Sequence, residues 1–290
     1  MTTKPDQLDM FGVEPERAML DQLLEESSLY RDGKQVGELF NFVARLRDFA
    51  PFNAMLLNVQ KPGLSYAASR ADWRSRFKRE VKFGARPLLI MWPFGPVALV
   101  YDVMDTEGEK LPESIWSFPA DGQITDQDMA EFERRLKAKG VHWHWVDHGD
   151  RNAGRIRAKP IEQTDGSVAY RYDMQVNRNH SPPSQFATLA HELAHLCLGH
   201  LGGNKTLKIP DRRGKPHTEV EIEAESVAYI ICKRQGVNPY SERYLSSYIE
   251  GEADVNSLEL YSIMKATGRV ERLLELQREV GTRAKYLQAT

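Results

Sequence analysis

One uninterrupted helical pattern in the second half of the chain constrains the fold most. Residues 185–198 contain neither glycine nor proline. Their large apolar side chains recur at spacings of three and four, which places them on one buried face of a helix: Phe186, Leu189, Leu193 and Leu196. The sequence Ser-Pro-Pro-Ser at 181–184 is typical of a helix start, and Gly199 is typical of a helix end. We therefore predict a largely buried helix that begins near Pro183 or Ser184 and ends before Gly199.

The same helix carries the sequence His-Glu-Leu-Ala-His at 191–195. His191 and His195 are four residues apart, so they share a face and can bind one metal ion together. Glu192 lies one position round the helix, where its carboxylate can reach a water that the metal activates. This is the arrangement of metal-dependent peptidases. The alternative is a pair of core histidines with a chance glutamate between them, which the helical context disfavours.

Catalytic zinc usually has three protein ligands, so a third ligand is expected beside His191 and His195. A second predicted helix offers candidates for it. Residues 219–232 form this helix, and Glu221 and Glu225 lie four apart on one of its faces. We expect Glu221 to bind the metal and Glu225 to hold a ligand histidine, as in thermolysin-like sites. One alternative is that Glu225 binds the metal and Glu221 holds the histidine. Another is that Glu223 takes one of these roles. His200 competes as third ligand, but its spacing differs from the metzincin pattern, so we expect it in the loop or beside a ligand.

The composition is that of an ordinary globular chain. The chain has 290 residues, a net charge of −2 and 41% hydrophobic residues, which suits one large or two modest domains. Cys197 and Cys232 lie in apolar helical contexts and are interpreted as core thiols in a reducing compartment. Residues 1–9 are polar, and the longest apolar stretch, 87–101, is interrupted by Pro-Phe-Gly-Pro. We expect a cytoplasmic protein with no membrane partner.

The remaining patterns predict an α+β chain. Further helices are predicted at 16–30, 36–49, 51–60, 72–79, 127–139, 240–248 and 258–276. Extended segments are predicted at 66–68 and 141–146, with hairpins of 87–92 with 97–103 and of 154–161 with 168–176. We expect the strand at 168–176 to flank a cleft beside the motif helix and to accept a substrate peptide at its edge.

Two other clusters have alternative interpretations. His142 and His144, with His148 nearby, resemble a metal site. On a strand, however, His142 and His144 share one face while Trp143 and Trp145 share the other. An amphipathic strand explains this pattern more simply than a metal site does.

A basic segment at 69–86 contains seven cationic residues and only two acidic ones. Aromatic residues are interleaved with the cations: Tyr66, Trp73, Phe77 and Phe83. Cations for phosphates and aromatic rings for base stacking suit single-stranded nucleic acid. A solvated helix face whose aromatic side chains point inward predicts the same residues, so composition alone favours the simpler reading.

Two family resemblances bear on these motifs. Residues 188–196 and 221–228 resemble the ImmA/IrrE zinc metallopeptidases, which implies a zinc peptidase whose substrate is a regulatory DNA-binding protein. Residues 51–63, 81–85 and 101–108, with Trp73 and a proline at 93, resemble the single-stranded-DNA-binding domain of the ArdC antirestriction proteins. The cations of the basic segment, taken together with this resemblance, predict a nucleic-acid-binding set: Arg70, Trp73, Arg74, Arg76, Lys78, Arg79 and Lys82.

We therefore expect an α+β protein in three parts. Residues 1–30 form a tail and a leading helix, residues 31–125 an ArdC-like domain, and residues 126–290 a zincin-like metallopeptidase domain that holds its metal between two helices. The alternative is an antirestriction-type single-stranded-DNA-binding protein of a mobile element, in which zinc is structural.

The expected cofactor is Zn²⁺, and the expected substrate is a peptide or protein. In this interpretation zinc polarises the scissile carbonyl and lowers the pKa of its water to roughly 7. Glu192 removes that proton and passes it to the leaving amine. A structural zinc site would have no use for Glu192, so its presence favours catalysis. Tyr229 or His217 is the candidate for stabilising the oxyanion. The three expected zinc ligands are His191, His195 and Glu221.

Overall fold

The computed structural model describes residues 33–92, 95–111, 124–147, 153–162, 168–238 and 258–276, and it confirms the α+β class. The helices are α1 Gly33–Arg45, α2 Pro51–Gln60, α3 Arg70–Phe77, α4 Asp126–Ala138, α5 Pro182–Leu198, α6 His217–Arg234 and α7 Leu260–Leu274. The strands are β1 Ala67–Ala68, β2 Arg79–Val81, β3 Leu88–Trp92, β4 Gly95–Asp102, β5 Thr106–Gly108, β6 Val141–Val146, β7 Gly154–Glu162 and β8 Val168–Asn177. The helices predicted at 16–30 and 240–248 lie outside the described residues.

The strands form three small sheets, and both predicted hairpins are confirmed. The order is β1-β4-β3 in one sheet, β2-β5 in the second and β6-β8-β7 in the third. In the third sheet β8 runs parallel to β6 and antiparallel to β7. The expectation that a peptide adds to the edge of β8 is therefore wrong, because β8 is the middle strand and both of its sides are occupied. The edge strand beside the motif helix is β7.

The register of β7 determines which of its backbone groups face outward. The Asn177 N–H donates to the Ala153 carbonyl at 2.9 Å, and 154 pairs with 176 in the same register. Odd-numbered residues of β7 therefore bond to β8, and even-numbered ones turn their backbone groups toward the free edge. Pro160 is one of these outward residues, and proline is tolerated there because no ladder bond needs its missing N–H.

The outer edge of β3 is covered by two side-chain amides of α2. The Asn53 amide donates to the Met91 carbonyl and accepts from the Met91 N–H, both at 3.0 Å. The Gln60 amide does the same for Leu89, at 2.7 and 2.8 Å. These amides satisfy the groups that an added strand would otherwise pair with.

The hydrophobic core is continuous across the predicted domain boundary near residue 125. Helices α1 and α2 pack on α6 and α7, and one buried cluster contains residues from all of them. The buried Arg234 of α6 donates to the Val43 and Phe49 carbonyls and pairs with Glu271 of α7 at 2.5 Å. The boundary itself stays a prediction, but the packing does not follow it.

Within the described ranges, none of the helices combines the length and the apolar character that crossing a bilayer requires.

Candidate metal centre

Helix α5 carries the motif much as the sequence predicts. It starts with two prolines at 182–183 and ends at Gly199, which adopts a left-handed conformation with φ of 85°. Its four predicted core residues are all completely buried. A Cβ on Gly199 would lie only 1.9 Å from the Pro210 carbonyl oxygen, so the loop that leads to α6 passes too close for any other residue.

Two histidines of α5 and one glutamate of α6 converge on one point. The Nε2 atoms of His191 and His195 are 3.0 Å apart. Glu221 places Oε2 3.5 Å from His191 Nε2 and Oε1 3.7 Å from His195 Nε2. Ala224 and Ala228 of α6 are buried and small, which lets the two helices approach closely. Within the described residues this is the group of His, Cys, Asp and Glu atoms that could hold one metal ion.

The donor separations fit a zinc ion. Zinc binds His nitrogen and carboxylate oxygen at about 2.0–2.1 Å, so adjacent ligand atoms of a tetrahedral site lie about 3.3 Å apart. The observed separations of 3.0, 3.5 and 3.7 Å bracket this value. Two imidazoles and one carboxylate also form a donor set that divalent zinc prefers, with a fourth position left for water.

Glu225 lies behind the first of these histidines. Its Oε1 is 3.3 Å from His191 Nδ1, on the side of the ring that faces away from Glu221. The structure thus brings Glu225 to the place expected for a carboxylate that orients a ligand histidine. Its role stays a prediction.

A chain of contacts lies behind His195, and the sequence predicted only one of its members, His200. His195 Nδ1 lies 3.1 Å from His200 Nδ1, and His200 Nε2 lies 3.1 Å from Glu223 Oε2. If His195 binds metal through Nε2, its Nδ1 carries the hydrogen and His200 accepts it. His200 then carries its own hydrogen on Nε2 and donates it to Glu223. His200 thus lies beside the candidate ligand His195, and Glu223 is linked to the candidate site through it.

Glu223 is fully buried and held by two cations. Its Oε1 accepts from Arg212 at 2.7 Å and from Lys215 at 2.9 Å, and both cations also contact Glu259. Burial alone would raise the pKa of Glu223, but its hydrogen bonds with His200, Arg212 and Lys215 lower it to about 2. Glu223 therefore stays ionised and can anchor His200 over the whole physiological pH range.

Glu192 lies between the motif helix and β7. Burial raises its pKa, while the positive charge of His191 and a hydrogen bond from the Ile156 backbone oppose that shift. A raised pKa suits a group that must accept and release a proton near neutral pH. Helix and strand meet closely here, because a Cβ on Gly154 would lie 2.5 Å from the Gln175 carbonyl oxygen and 2.7 Å from the Thr188 methyl.

The two motif histidines have opposite pKa shifts. Burial would lower the pKa of His191, but hydrogen bonds with Glu221 and Glu225 outweigh it and raise the pKa to about 10. Burial and the neighbouring charge of His191 lower the pKa of His195. The carboxylates around the pair attract a positive charge, and a divalent cation would satisfy them better than one proton does.

The two candidates for the oxyanion differ in position. The Tyr229 hydroxyl donates to Asn41 of α1 at 2.8 Å, at the interface between α1 and α6 and not beside the motif. His217 is largely exposed, and its Nδ1 is 3.5 Å from Glu221 Oε1, at the mouth of the site. Of the two, His217 is the one with a contact to a candidate ligand, and its role stays a prediction.

The His142–Trp145 segment is an amphipathic strand within the described residues. Trp143 is buried and lies 5.0 Å from Trp145, ring centroid to ring centroid, while His144 is exposed on the opposite face. His142 and His144 belong to no group of metal-ligating atoms in the described ranges. His148 lies outside the described residues.

The prediction that Trp73 stacks on a nucleic-acid base is wrong. Trp73 is 0% exposed, and its indole N–H donates to the Tyr101 carbonyl at 2.9 Å. It packs against Tyr66 and Phe77 in a small core, so no base can reach it. Phe83, in contrast, is fully exposed in the turn after β2.

Several cations of that set have partners inside the protein. Arg79 donates to Thr106 and Gly108 of β5, and Arg74 forms a two-bonded ion pair with Glu80. The remaining members have looser contacts, which leave their charge available. Arg70 lies over the Tyr101 ring, Arg76 lies over the Phe77 ring, Lys78 donates to the Ser75 carbonyl and Lys82 donates to the Met104 carbonyl.

A comparison with protein families bears directly on this site. The Peptidase_M78 family model, the IrrE N-terminal-like domain, matches residues 151–243. This segment contains β7, β8, α5 and α6, and therefore all three candidate ligands and Glu192. The resemblance to an ImmA/IrrE-type domain is confirmed over these residues. A search of curated proteins finds no match for the chain.

Two solved structures that resemble the chain are of the antirestriction protein ArdC from plasmid R388. The metal-free structure is 15% identical and covers 87% of this chain and 97% of that one, with a TM-score of 0.37. The Mn(II)-bound structure is 16% identical and covers 87% and 98%, with the same TM-score. The ArdC resemblance predicted from the sequence is thus found again by structure comparison.

Proposed function

We propose that the protein is a zinc-dependent peptidase. The observation that carries this proposal is the convergence of His191, His195 and Glu221 beside a half-buried Glu192 and the edge strand β7. A site that only stabilised the fold would need neither Glu192 nor an open strand edge beside it. The match of this segment to a peptidase family model supports the same conclusion.

Each residue has a defined task in this proposal. When bound, zinc supplies an activated water and polarises the carbonyl of the scissile bond. Glu192 accepts a proton from that water and transfers it to the leaving amine. Glu225 orients His191, and His200 with Glu223 orients His195, so that both rings present Nε2 to the metal.

The peptide substrate is held by β7. Gly154 and Ala158 direct N–H and C=O groups to the free edge, and Ile156 lies beside Glu192. An extended peptide that pairs with these groups becomes a fourth strand of the sheet and places one of its bonds next to Glu192. This replaces the expected docking strand β8 by its neighbour.

Cleavage of a peptide library tests the proposal. A proteome-derived library is incubated with the zinc-loaded wild type and with Glu192→Gln, and new peptide termini are counted by mass spectrometry. We expect zinc-dependent termini with the wild type and a loss of roughly 10²–10⁴-fold in rate with Glu192→Gln, at unchanged zinc content. Full zinc-dependent cleavage by Glu192→Gln would contradict the assigned role.

A second candidate function is single-stranded-DNA binding at the turn after β2. The observation that favours it is Phe83, a fully exposed aromatic ring next to Lys82. A ring in this position can stack on a base while the neighbouring cations contact phosphates. Anisotropy with a labelled oligothymidylate tests this proposal: Phe83→Ala should weaken binding roughly tenfold, and binding should fall steeply with salt. No measurable binding of the wild type at low salt would end this candidate.

A further inference from the structure

The exposed face of β7 is strongly basic, although the chain as a whole is slightly acidic. Arg155, Arg157 and Lys159 point to this face, and Arg171 joins them from β8. Asp173 is the one carboxylate among them, so the face has a surplus of positive charge in a chain of net charge −2. Such a local field attracts negatively charged groups from solution.

Three of the four cations on this face are held in place by neighbouring side chains. Lys159 lies 2.6 Å from Asp173 Oδ2, Arg171 lies 3.0 Å from Asp173 Oδ1, and Arg155 donates to Gln175 at 2.6 Å. Arg157 lies directly opposite Asp173 in the register, and its guanidinium has no hydrogen bond or ion pair within the described residues. The groove between these side chains, about 220 Å³, is smaller than a typical small-molecule pocket of roughly 300–1,000 Å³.

The same strand also presents the free edge beside Glu192. A peptide that adds to this edge places each of its side chains on the same face as the β7 residue directly opposite. Peptide residues opposite Arg155, Arg157 and Lys159 therefore project onto the basic face, whichever way the peptide runs. Because these three are spaced by two residues, about 6.6 Å, the matching peptide positions also alternate.

We propose that the peptide held on β7 carries acidic side chains at alternating positions that face Arg155, Arg157 and Lys159. This inference rests on the proposed function, since it names the substrate class of the same cleft. The ladder of outward N–H and C=O groups favours a peptide over a nucleic acid, because only a peptide backbone can pair with it. The intervening peptide side chains would face the motif helix.

Binding of patterned peptides tests the proposal without turnover. The full-length Glu192→Gln protein is titrated into a labelled eight-residue peptide in which Glu alternates with Val, and fluorescence anisotropy is measured. The comparison peptides have the same composition with the Glu residues grouped, or Lys in place of Glu. We expect the alternating acidic peptide to bind roughly tenfold more tightly than either.

Charge reversal provides the decisive variant. Arg155→Glu/Arg157→Glu/Lys159→Glu should reverse the preference toward the alternating Lys peptide. The matched control Lys34→Glu/Arg134→Glu/Lys137→Glu makes the same net charge change on exposed positions of α1 and α4, and should keep the preference for alternating Glu. All the changed residues are exposed, so thermal unfolding should confirm that both variants fold.

Three outcomes would overturn the proposal. The first is that the alternating and grouped acidic peptides bind equally well. The second is that the control variant loses as much binding of the alternating acidic peptide as the β7 charge-reversal variant does. The third is that the protein prefers oligothymidylate to every peptide and that this preference disappears in the β7 charge-reversal variant. Failure of the proposed function is a separate result. If wild type shows no zinc-dependent cleavage but the reversal still switches peptide preference, β7 is a docking strand and the peptidase proposal fails.

Discussion

The sheet edges of β3 and β7 face very different surroundings. Both strands turn alternate backbone groups away from their sheets, which makes each a site where another chain could add. At β3 those groups are paired with Asn53 and Gln60 of α2. At β7 no described strand pairs with them, and Glu192 of the motif helix accepts a hydrogen bond from the Ile156 backbone. The β3 edge is thus closed by neutral side chains, whereas within the described residues the β7 edge carries no added strand and meets Glu192 at Ile156.

We infer that the β3 edge is protected against pairing with other chains, whereas the β7 edge is used to bind one. Closing an edge with amides prevents uncontrolled pairing with other chains and contributes to stability. An open edge is a liability unless it serves a purpose, and on β7 the purpose we propose is to hold a substrate.

The largest effect is expected from the buried charge of Glu223, which anchors His200 behind the motif helix. Glu223→Gln removes the charge that Arg212 and Lys215 share, and should lower the free energy of unfolding by roughly 3 kcal/mol. Zinc affinity should fall about 10–100-fold, because His200 loses its anchor. Urea unfolding and zinc competition measure the two effects. Glu219→Gln, on the same helix with a longer contact of 3.6 Å to Lys215, should change little, and equal losses in both variants would contradict the account.

Low pH should destabilise the protein through the same carboxylate, that of Glu223. The pKa of Glu223 is about 2 in the folded protein, below its ordinary value of 4.5. Its contribution to stability is therefore complete above 4.5 and is lost as the pH falls toward about 2. Between these values wild type should lose stability more steeply than Glu223→Gln, as measured by unfolding at each pH. Parallel curves would show that Glu223 is not an ion anchor, and the neutral amides at β3 should contribute no such slope.

Closing the β7 edge should stop substrate binding without unfolding the protein. Ala158→Pro removes an outward N–H and places a ring where the peptide would lie, so cleavage should fall by at least about tenfold at unchanged zinc content. Arg157→Pro is the contrasting variant, because its N–H bonds to β8 and its loss should destabilise the sheet. Unchanged cleavage by Ala158→Pro would show that peptides do not add to β7.

Opening the β3 edge should have the smallest effect. Asn53→Ala and Gln60→Ala should each lower the free energy of unfolding by about 1 kcal/mol, and the double variant should self-associate at high concentration. Urea unfolding and sedimentation measure these effects. Gln60→Glu keeps the acceptor for the Leu89 N–H but loses the donor, so its effect should be intermediate. A monomeric double variant of wild-type stability would remove β3 from the comparison.

The sequence predicted the local features of the site and missed what depends on strand order. The helical spacing of His191 and His195 and the cap at Gly199 are local, so both were accessible. The docking strand was assigned to β8 instead of β7 because apolar and polar residues alternate in a middle strand just as they do in an edge strand, when only one face of the sheet is buried. Pro160, inside the predicted strand 154–161, was the available signal that this strand lies at an edge.

Other differences arise from tertiary packing. Trp73 was assigned to nucleic acid because its neighbours are cationic, yet its ring fills a small core with Tyr66 and Phe77. The link from Glu223 through His200 could not be predicted, because it joins the loop after α5 to α6. Spacing along one helix does not show which residue of another element lies beside it.

The amount of bound metal per chain decides whether His191, His195 and Glu221 form a metal centre. Elemental analysis of the purified full-length protein should find about one zinc per chain. His195→Ala and Glu221→Ala should lose it, while Glu225→Ala should only weaken it. A folded wild type that holds no metal, even after zinc is added back, would contradict the metal centre and with it the proposed peptidase.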